Sequence, residues 1–196
     1  MGNPEQMVEI RWHGRGGQGA VTSAEVLAQA AISEGKYAQA FPSFGPERRG
    51  APVQAFVRVG TQAIRVRSSI TEPDFVVVLD PGLLSIVDVT SGLKPGGIVV
   101  INTTKTNQQI RDEFKIKARI ASVGATRIAQ EVLGVPITNT TMIGAVVKAS
   151  NVVKIESLFD PLRQRFGRLG ERNIESMKRA FAETIIEELA GDQTRR

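Results

Sequence analysis

Apolar and polar positions alternate along residues 8–12, and this alternation is typical of a half-buried strand. Several glycines follow, and from Ala20 the apolar residues recur at the three- and four-residue spacing of a helix. Gly35 ends that spacing, and residues 37–41 predict a second short strand. The pattern therefore predicts a strand, a glycine turn and a helix in immediate succession.

A second alternating pattern occupies residues 53–59 and 62–67, with Gly60 and Thr61 between the two segments. Alternating segments on both sides of a tight turn predict a β-hairpin. The outward-facing side chains of that hairpin would include Arg58, Arg65 and Arg67.

Nearly continuous apolar runs mark the central part of the chain. Residues 74–80, 97–101 and 117–123 predict strands that are buried on both faces, as in parallel sheets covered by helices. Helices are expected to begin at Pro81 and near residues 126–133. The inward side chains of the first of these helices would be Leu83, Leu84 and Val87.

The last third of the chain has the periodicity of helices, over residues 140–150, 155–166 and 173–189. The apolar stripe of the last helix would consist of Ile174, Met177, Phe181, Ile185 and Leu189. Together the patterns predict an α/β fold with a Rossmann-like, mixed, mostly parallel sheet flanked by helices, a β-hairpin insertion and a helical C-terminal third. Residues 1–196 are expected to form a single domain, because no repeat or linker divides them.

Composition excludes several kinds of chemistry. The chain contains no cysteine, which excludes disulfides, thiolate nucleophiles and cysteine-held iron–sulfur clusters. A metal site is not expected, because His13 is the single histidine. His13 is either an acid/base group that faces a ligand or a structural histidine. The structural role is favoured, since no paired acid lies nearby in the sequence.

The net charge of +5 and a pI near 9.9 suit an anionic partner, such as nucleic acid, a phosphorylated cofactor or an acidic protein face. Nucleic-acid binding is not expected, because the basic residues are dispersed and aromatic residues make up only 5%. No apolar run reaches the roughly 18 residues of a membrane span, and the N-terminus does not resemble a secretion signal. A cytoplasmic protein without membrane contact is expected.

Gly14, Gly16 and Gly19 follow the spacing G-x-G-x-x-G between the first strand and its helix. Such glycines permit a tight turn, and the helix N-terminus offers free N–H groups to a phosphate. Arg15 adds a cation with bidentate donors. A dinucleotide site would also need an acid at the end of the second strand, and none occurs before Glu47. The turn is therefore expected to bind another anion, or else only to allow a close strand–helix crossing.

A second loop, residues 41–52, combines prolines and glycines with two adjacent arginines, Arg48 and Arg49. Prolines and glycines fix the path of a loop, and a rigid loop that presents arginines suits an anion or the carboxylate of a partner. The alternative is a solvated connection whose arginines pair with a local acid such as Glu47.

The segments 9–20 (EIRWHGRGGQGA) and 39–52 (QAFPSFGPERRGAP) together resemble the gamma subunit of 2-oxoacid:ferredoxin oxidoreductases, of the pyruvate and 2-oxoisovalerate types. The resemblance covers almost the whole chain. It implies a complex in which a 2-oxoacid, coenzyme A and oxidised ferredoxin give acyl-CoA, carbon dioxide and reduced ferredoxin. It also implies alpha, beta and delta partner subunits that carry the thiamine diphosphate and the iron–sulfur clusters. The isolated gamma chain is then expected to be inactive.

For the gamma subunit, the resemblance leaves assembly and, as a hypothesis, the binding of coenzyme A. The diphosphate and 3′-phosphate of coenzyme A suit a glycine turn flanked by arginines. The candidate contacts are Gly14, Arg15, Gly16, Gly17, Gln18, Gly19, Arg48 and Arg49, with Asn102 and Asn139 as helix caps or polar contacts. No catalytic residue and no metal ligand is assigned. A purely structural interaction subunit and a stand-alone nucleotide-binding protein stay open as alternatives, as do the identity of the oxoacid and the reaction direction.

Overall fold

The computed structural model describes residues 7–43 and 50–187. The strands in these ranges are β1 (Val8–Arg15), β2 (Tyr37–Pro42), β3 (Pro52–Gly60), β4 (Phe75–Val78), β5 (Ile98–Asn102), β6 (Arg119–Val123) and β7 (Ile185–Glu187). The α-helices are α1 (Ala20–Ser33), α2 (Asn107–Phe114), α3 (Ala125–Leu133), α4 (Asn139–Ser150), α5 (Phe159–Phe166) and α6 (Gly170–Glu183). Short 3-10 helices occupy Pro81–Ser85, Ile155–Leu158 and Gly167–Leu169.

The seven strands of the described ranges form one mixed sheet in the order β2-β3-β1-β4-β5-β6-β7. Strands β1, β4, β5 and β6 are parallel neighbours. Strands β3 and β7 run in the opposite direction, whereas β2 is antiparallel to β3 and so runs the same way as β1. The predicted α/β fold with a mixed, mostly parallel sheet is confirmed, and α4, α5 and α6 of the C-terminal third lie in the chain between β6 and β7.

The core lies on both faces of this sheet, because neighbouring side chains of a strand point to opposite faces. On one face, Ile10 and Trp12 of β1 belong to a large buried cluster that also contains residues of α1, α4 and α6. On the other face, Val76 and Val78 of β4 pack with Leu83 and with residues of α2. The apolar runs of the central strands are therefore explained by burial on two sides.

The predicted hairpin of residues 53–59 and 62–67 is wrong in its second strand. Residues 62–67 form no strand, and the antiparallel hairpin partner of β3 is β2, which precedes it in the chain. The reason is that β3 lies between β2 and β1, so both of its edges are already paired. A strand at residues 62–67 would have no edge of β3 to join.

The expected exposure of Arg58 is also wrong, whereas Arg65 and Arg67 are exposed as expected. Arg58 is only 2% exposed, and its Nε donates to Oε1 of Glu9 at 2.8 Å. A second donor of Arg58 reaches the carbonyl of Val66, in the segment that the hairpin prediction had made a strand. The bonds to the carboxylate of Glu9 and to the carbonyl of Val66 offset the free-energy cost of burying this cation.

The last helix ends earlier than its apolar stripe predicts. Helix α6 ends at Glu183, and the chain then becomes extended and pairs as β7 with the free edge of β6. Ile185 is consequently 60% exposed instead of facing the core. Leu189, the last residue of the predicted stripe, lies outside the described residues.

Two further helices differ from the sequence pattern. Pro81 begins a five-residue 3-10 helix instead of a longer helix, although Leu83 is buried as expected. Leu84 and Val87 are partly buried against the same cluster. Helix α2 was not predicted, yet its start carries a capping box in which Thr106 and Gln109 bond each other's backbone N–H.

Candidate functional site

The candidate residues gather at the carboxyl ends of the parallel strands. Strands β2 and β3, which follow β1 in the chain, extend the sheet on one side of β1. Strand β5, which follows β4, extends the sheet in the opposite direction, beyond β4. Where successive connections leave a parallel sheet in opposite directions, a crevice opens at the strand ends, and ligands of open α/β proteins bind in such crevices. The glycine turn stands on one side of this crevice and the residues after β4 on the other.

The glycine turn is closed by bonds between Arg15 and Gln18. The backbone N–H of Gln18 donates to the carbonyl of Arg15 at 2.9 Å, and Oε1 of Gln18 accepts from the backbone N–H of Arg15 at 2.7 Å. Gly17 and Gly19 both have left-handed backbone angles, with φ of 94° and 78°. These angles require glycine in practice, so the turn depends on both residues.

The base of the second loop packs against this turn. The N–H of Gly16 donates to the carbonyl of Ala51 at 2.9 Å, and the N–H of Gly50 donates to the carbonyl of Gly16 at 3.2 Å. The described end of the second loop is thus fixed beside the glycine turn. Arg48 and Arg49 lie outside the described residues, so their role stays a prediction.

The beginnings of α1 and α4 meet at Gly19. A methyl group on Gly19 would lie 2.5 Å from Nδ2 of Asn139, the first residue of α4. The hydroxyl of Ser23 in α1 bonds the carbonyl of Asn139 at 3.0 Å and that of Gly19 at 3.1 Å. The side chain of Asn139 is held in place, because its Oδ1 accepts from the N–H of Thr140 at 2.8 Å. The turn therefore brings the positive ends of two helix dipoles close together.

Arg15 spans the crevice. Its Nε donates to Oδ2 of Asp80 at 2.6 Å, and its Nη1 donates to the carbonyl of Gly50 at 3.3 Å. Burial raises the pKa of Asp80, but the hydrogen bonds from Arg15 and from the N–H of Gly82 outweigh it and hold that pKa below its ordinary value. The ion pair is partly exposed to solvent, with the two side chains 33% and 22% exposed. The sequence pattern of residues 14–19 does not predict that Asp80 pairs with Arg15.

Asn102 is a helix cap at the end of β5. Its Nδ2 donates to the carbonyl of Leu79 at 2.9 Å and to Oγ1 of Thr126 at 2.8 Å, while its Oδ1 accepts from the N–H of Thr126 at 3.1 Å. The bond to Thr126 N–H lies in the first turn of α3, whereas a contact between Asn102 and a ligand stays a prediction. Asn102 ties the ends of two strands to that helix.

Two adjoining hollows of about 450 Å³ each continue from the crevice over the ends of β5 and β6. Both are lined by Thr103, Thr104, Lys105 and Gly124, and one of them also by Asn102. The sequence analysis did not predict that residues 103–105 line these hollows. The run of threonines and a lysine directly after a buried strand was the signal for it.

His13 does not face the crevice. It is 3% exposed, and its Nε2 accepts from Nε of Arg11 at 3.0 Å. Burial, and after it the charge of Arg11, lowers the pKa of His13 to about 4. The imidazole is therefore neutral at pH 7, and the structural role predicted for it agrees with this geometry.

Within residues 7–43 and 50–187, no three histidine, aspartate or glutamate side chains come close enough to hold a metal ion. Over the same ranges, no helix combines the length and the apolar character that a bilayer crossing requires.

Comparison with known proteins identifies the family. The family model for pyruvate ferredoxin/flavodoxin oxidoreductase matches residues 9–183. The chain is 56% identical over 185 residues to the pyruvate/ketoisovalerate oxidoreductases common subunit gamma of Thermococcus litoralis, a match that covers 93% of this chain and 100% of that protein.

Solved structures share the fold. The crystal structure of pyruvate oxidoreductase subunit PORC from Thermotoga maritima matches with a TM-score of 0.83 and 37% identity, over 93% of this chain and 99% of that one. A 2-oxoglutarate:ferredoxin oxidoreductase from Magnetococcus marinus, solved with 2-oxoglutarate, coenzyme A and succinyl-CoA bound, matches with a TM-score of 0.68. At 19% identity, over 92% of this chain and 30% of that one, it shows a common fold alone. The chain belongs to the pyruvate ferredoxin/flavodoxin oxidoreductase family, in which it is a gamma subunit.

Proposed function

We propose that this gamma subunit works in a thiamine-diphosphate-dependent complex that converts a 2-oxoacid, coenzyme A and oxidised ferredoxin to acyl-CoA, carbon dioxide and reduced ferredoxin. Its own contribution is assembly of the complex and the binding of coenzyme A. Alpha, beta and delta subunits carry the thiamine diphosphate and the iron–sulfur clusters, and the complex is cytoplasmic. The absence of cysteine from this chain is consistent with that division, because cysteine thiolates are the usual cluster ligands.

The observation that carries the coenzyme A proposal is the convergence of anion-attracting groups at one crevice. The glycine turn, the N-termini of α1 and α4 and the guanidinium of Arg15 lie together at the carboxyl ends of the parallel strands. Backbone N–H groups at a helix start and a bidentate guanidinium are the donors that bind a diphosphate. The first turn of α1 contains no acidic residue that would take the place of such an anion.

The strand order argues against a dinucleotide as the ligand. In a dinucleotide-binding fold, the acid that holds the ribose stands at the end of the strand next to β1. Here β3 lies between β1 and β2, so the end of β2 is displaced by one strand, and Ser43 follows it instead of an acid. The stand-alone nucleotide-binding protein is therefore disfavoured.

A specific observation favours a second candidate, a structural subunit that binds no ligand. Arg15 is already paired with Asp80 and bonded to Gly50, so its Nε and Nη1 donors already have partners within the chain. In a structural subunit, the ion pair and the glycine turn would only hold the surface that contacts other subunits in its conformation.

Steady-state kinetics of the assembled complex separate the two candidates. With Arg15→Ala, we expect the apparent KM for coenzyme A to rise about tenfold or more, because charge-assisted hydrogen bonds contribute roughly 1.5–3 kcal/mol. The KM for the oxoacid should stay unchanged. Arg65→Ala removes the same charge from an exposed position beyond the far end of β3 and serves as the matched control. An unchanged KM for coenzyme A in an intact Arg15→Ala complex would contradict the proposal, and loss of assembly would favour the structural subunit.

A further inference from the structure

The guanidinium of Arg15 is held by the protein on two sides. Asp80 accepts from Nε at 2.6 Å, and the carbonyl of Gly50 accepts from Nη1 at 3.3 Å. One third of the side chain is nevertheless exposed. An anion that enters the crevice therefore meets a cation that is accessible but already paired.

The carboxylate of Asp80 is fixed where it stands. Its Oδ1 accepts from the N–H of Gly82 at 2.8 Å, which caps the 3-10 helix Pro81–Ser85. Its Oδ2 faces the glycine turn, where it also accepts from Nε2 of Gln18 at 3.5 Å. A diphosphate bound by the turn and by Arg15 would lie beside this negative charge.

The geometry points to Asp80 as the residue that sets the affinity of the crevice for its anion, by competing with the ligand for Arg15. This inference rests on the proposed binding of coenzyme A. In the free subunit Asp80 holds the guanidinium, and the diphosphate must take it over while being repelled by the carboxylate. Asp80 therefore weakens binding, and it is a positioning residue that makes no contact with the reacting atoms.

Weak binding of the diphosphate has a chemical reason in this reaction. Coenzyme A and acyl-CoA carry the same diphosphate, so a contact with that group stabilises substrate and product equally. Uniform binding of this kind does not raise kcat, and tight binding would retain the product. A carboxylate that competes for Arg15 lets the complex use the arginine for recognition and still release acyl-CoA.

Asp80→Asn tests the inference, because asparagine keeps an oxygen for the cap at Gly82 but removes the charge. Calorimetric titration of the assembled complex with coenzyme A should give a Kd about tenfold lower than that of the unmodified complex, because the diphosphate no longer has to displace a charge-assisted hydrogen bond between Asp80 and Arg15. Asp80→Ser, which retains a good capping side chain, should also tighten binding. Both gains should shrink at about 1 M salt, where charges are screened within about 3 Å.

Asp74→Asn is the matched control. Asp74 pairs with Lys94 at 3.0 Å, has similar exposure and precedes the same strand, about 20 Å from Asp80 along the chain. Its replacement changes the net charge equally and should leave the Kd unchanged. An equal gain with Asp74→Asn would overturn the inference, since the effect would then come from net charge.

The double variant Arg15→Ala/Asp80→Asn shows whether the two residues act together. The gain from Asp80→Asn should be smaller when Arg15 is absent, because only the loss of repulsion between carboxylate and diphosphate then remains, whereas equal gains would mean that Asp80 does not compete for Arg15. If Arg15→Ala does not weaken binding, the proposed function fails. If Arg15→Ala weakens binding but neither variant of Asp80 tightens it, the role of Asp80 fails while the proposed function stands.

Discussion

Replacement of Gly19 by alanine should destabilise the chain more than the same replacement of Gly17, although both belong to one turn. Gly17 has φ of 94°, and no atom of residues 7–43 or 50–187 lies within 4 Å of an added methyl group. Gly19 has φ of 78°, and the added methyl group would lie 2.5 Å from Nδ2 and 3.1 Å from Cβ and Cγ of Asn139. The pair separates the cost of the backbone angle from the cost of close packing.

The magnitudes follow from these two terms. A left-handed backbone costs an alanine roughly 1–2 kcal/mol, of which the lower entropy of the unfolded chain returns about 0.4–1 kcal/mol. Gly17→Ala should therefore cost about 1 kcal/mol. Gly19→Ala should cost about 2–4 kcal/mol, because displacement of the buried Asn139 adds the roughly 1–3 kcal/mol of an overpacked site.

Thermal unfolding of the purified full chain, followed by circular dichroism, measures the difference. At about 2–4 °C per kcal/mol for a chain of this size, Gly17→Ala should lower Tm by about 3 °C and Gly19→Ala by at least twice as much. Equal shifts, or a larger shift for Gly17→Ala, would refute the close contact between the glycine turn and α4.

Two other predictions concern the core. Gly144→Ala would place its methyl group 2.0 Å from the backbone carbonyl of Met177, so α4 and α6 must separate. Denaturant titration should then show that the free energy of unfolding falls by more than about 4 kcal/mol. A decrease below about 1 kcal/mol would contradict this packing. The pKa of His13, about 4 in the folded chain against an ordinary 6.5, means that the unfolded chain binds more protons between these values. The free energy of unfolding should therefore fall by up to about 3 kcal/mol as the pH drops from 6.5 to 4, and His13→Gln should flatten that part of the pH profile; an unaltered profile would mean that His13 is not the titrating group.

Local patterns predicted the strand–turn–helix unit and the central strands well. Both signals are short in range: glycines between an alternating and a helical period, and an apolar run such as residues 75–78 that is buried on two faces. The gathering of Arg15 and Asn102 at one edge of the sheet follows from the rule that parallel strands end on the same side. These features need no knowledge of which strands pair at the edges.

The errors come from pairings between distant residues. Residues 62–67 alternate like a strand, but β2 and β1 already occupy both edges of β3. Arg58 is buried because Glu9 lies on the neighbouring strand, 49 residues earlier in the chain. Asp80 reaches Arg15 across 65 residues, and no local pattern contains such a partner.

A structure of the assembled complex with coenzyme A bound would test the central claim most directly. The account predicts that the diphosphate contacts the backbone N–H groups of the turn at residues 16–19, and that the guanidinium of Arg15 has turned from Asp80 toward it. A diphosphate more than about 10 Å from Arg15, beyond direct contact and about one screening length away, would contradict it.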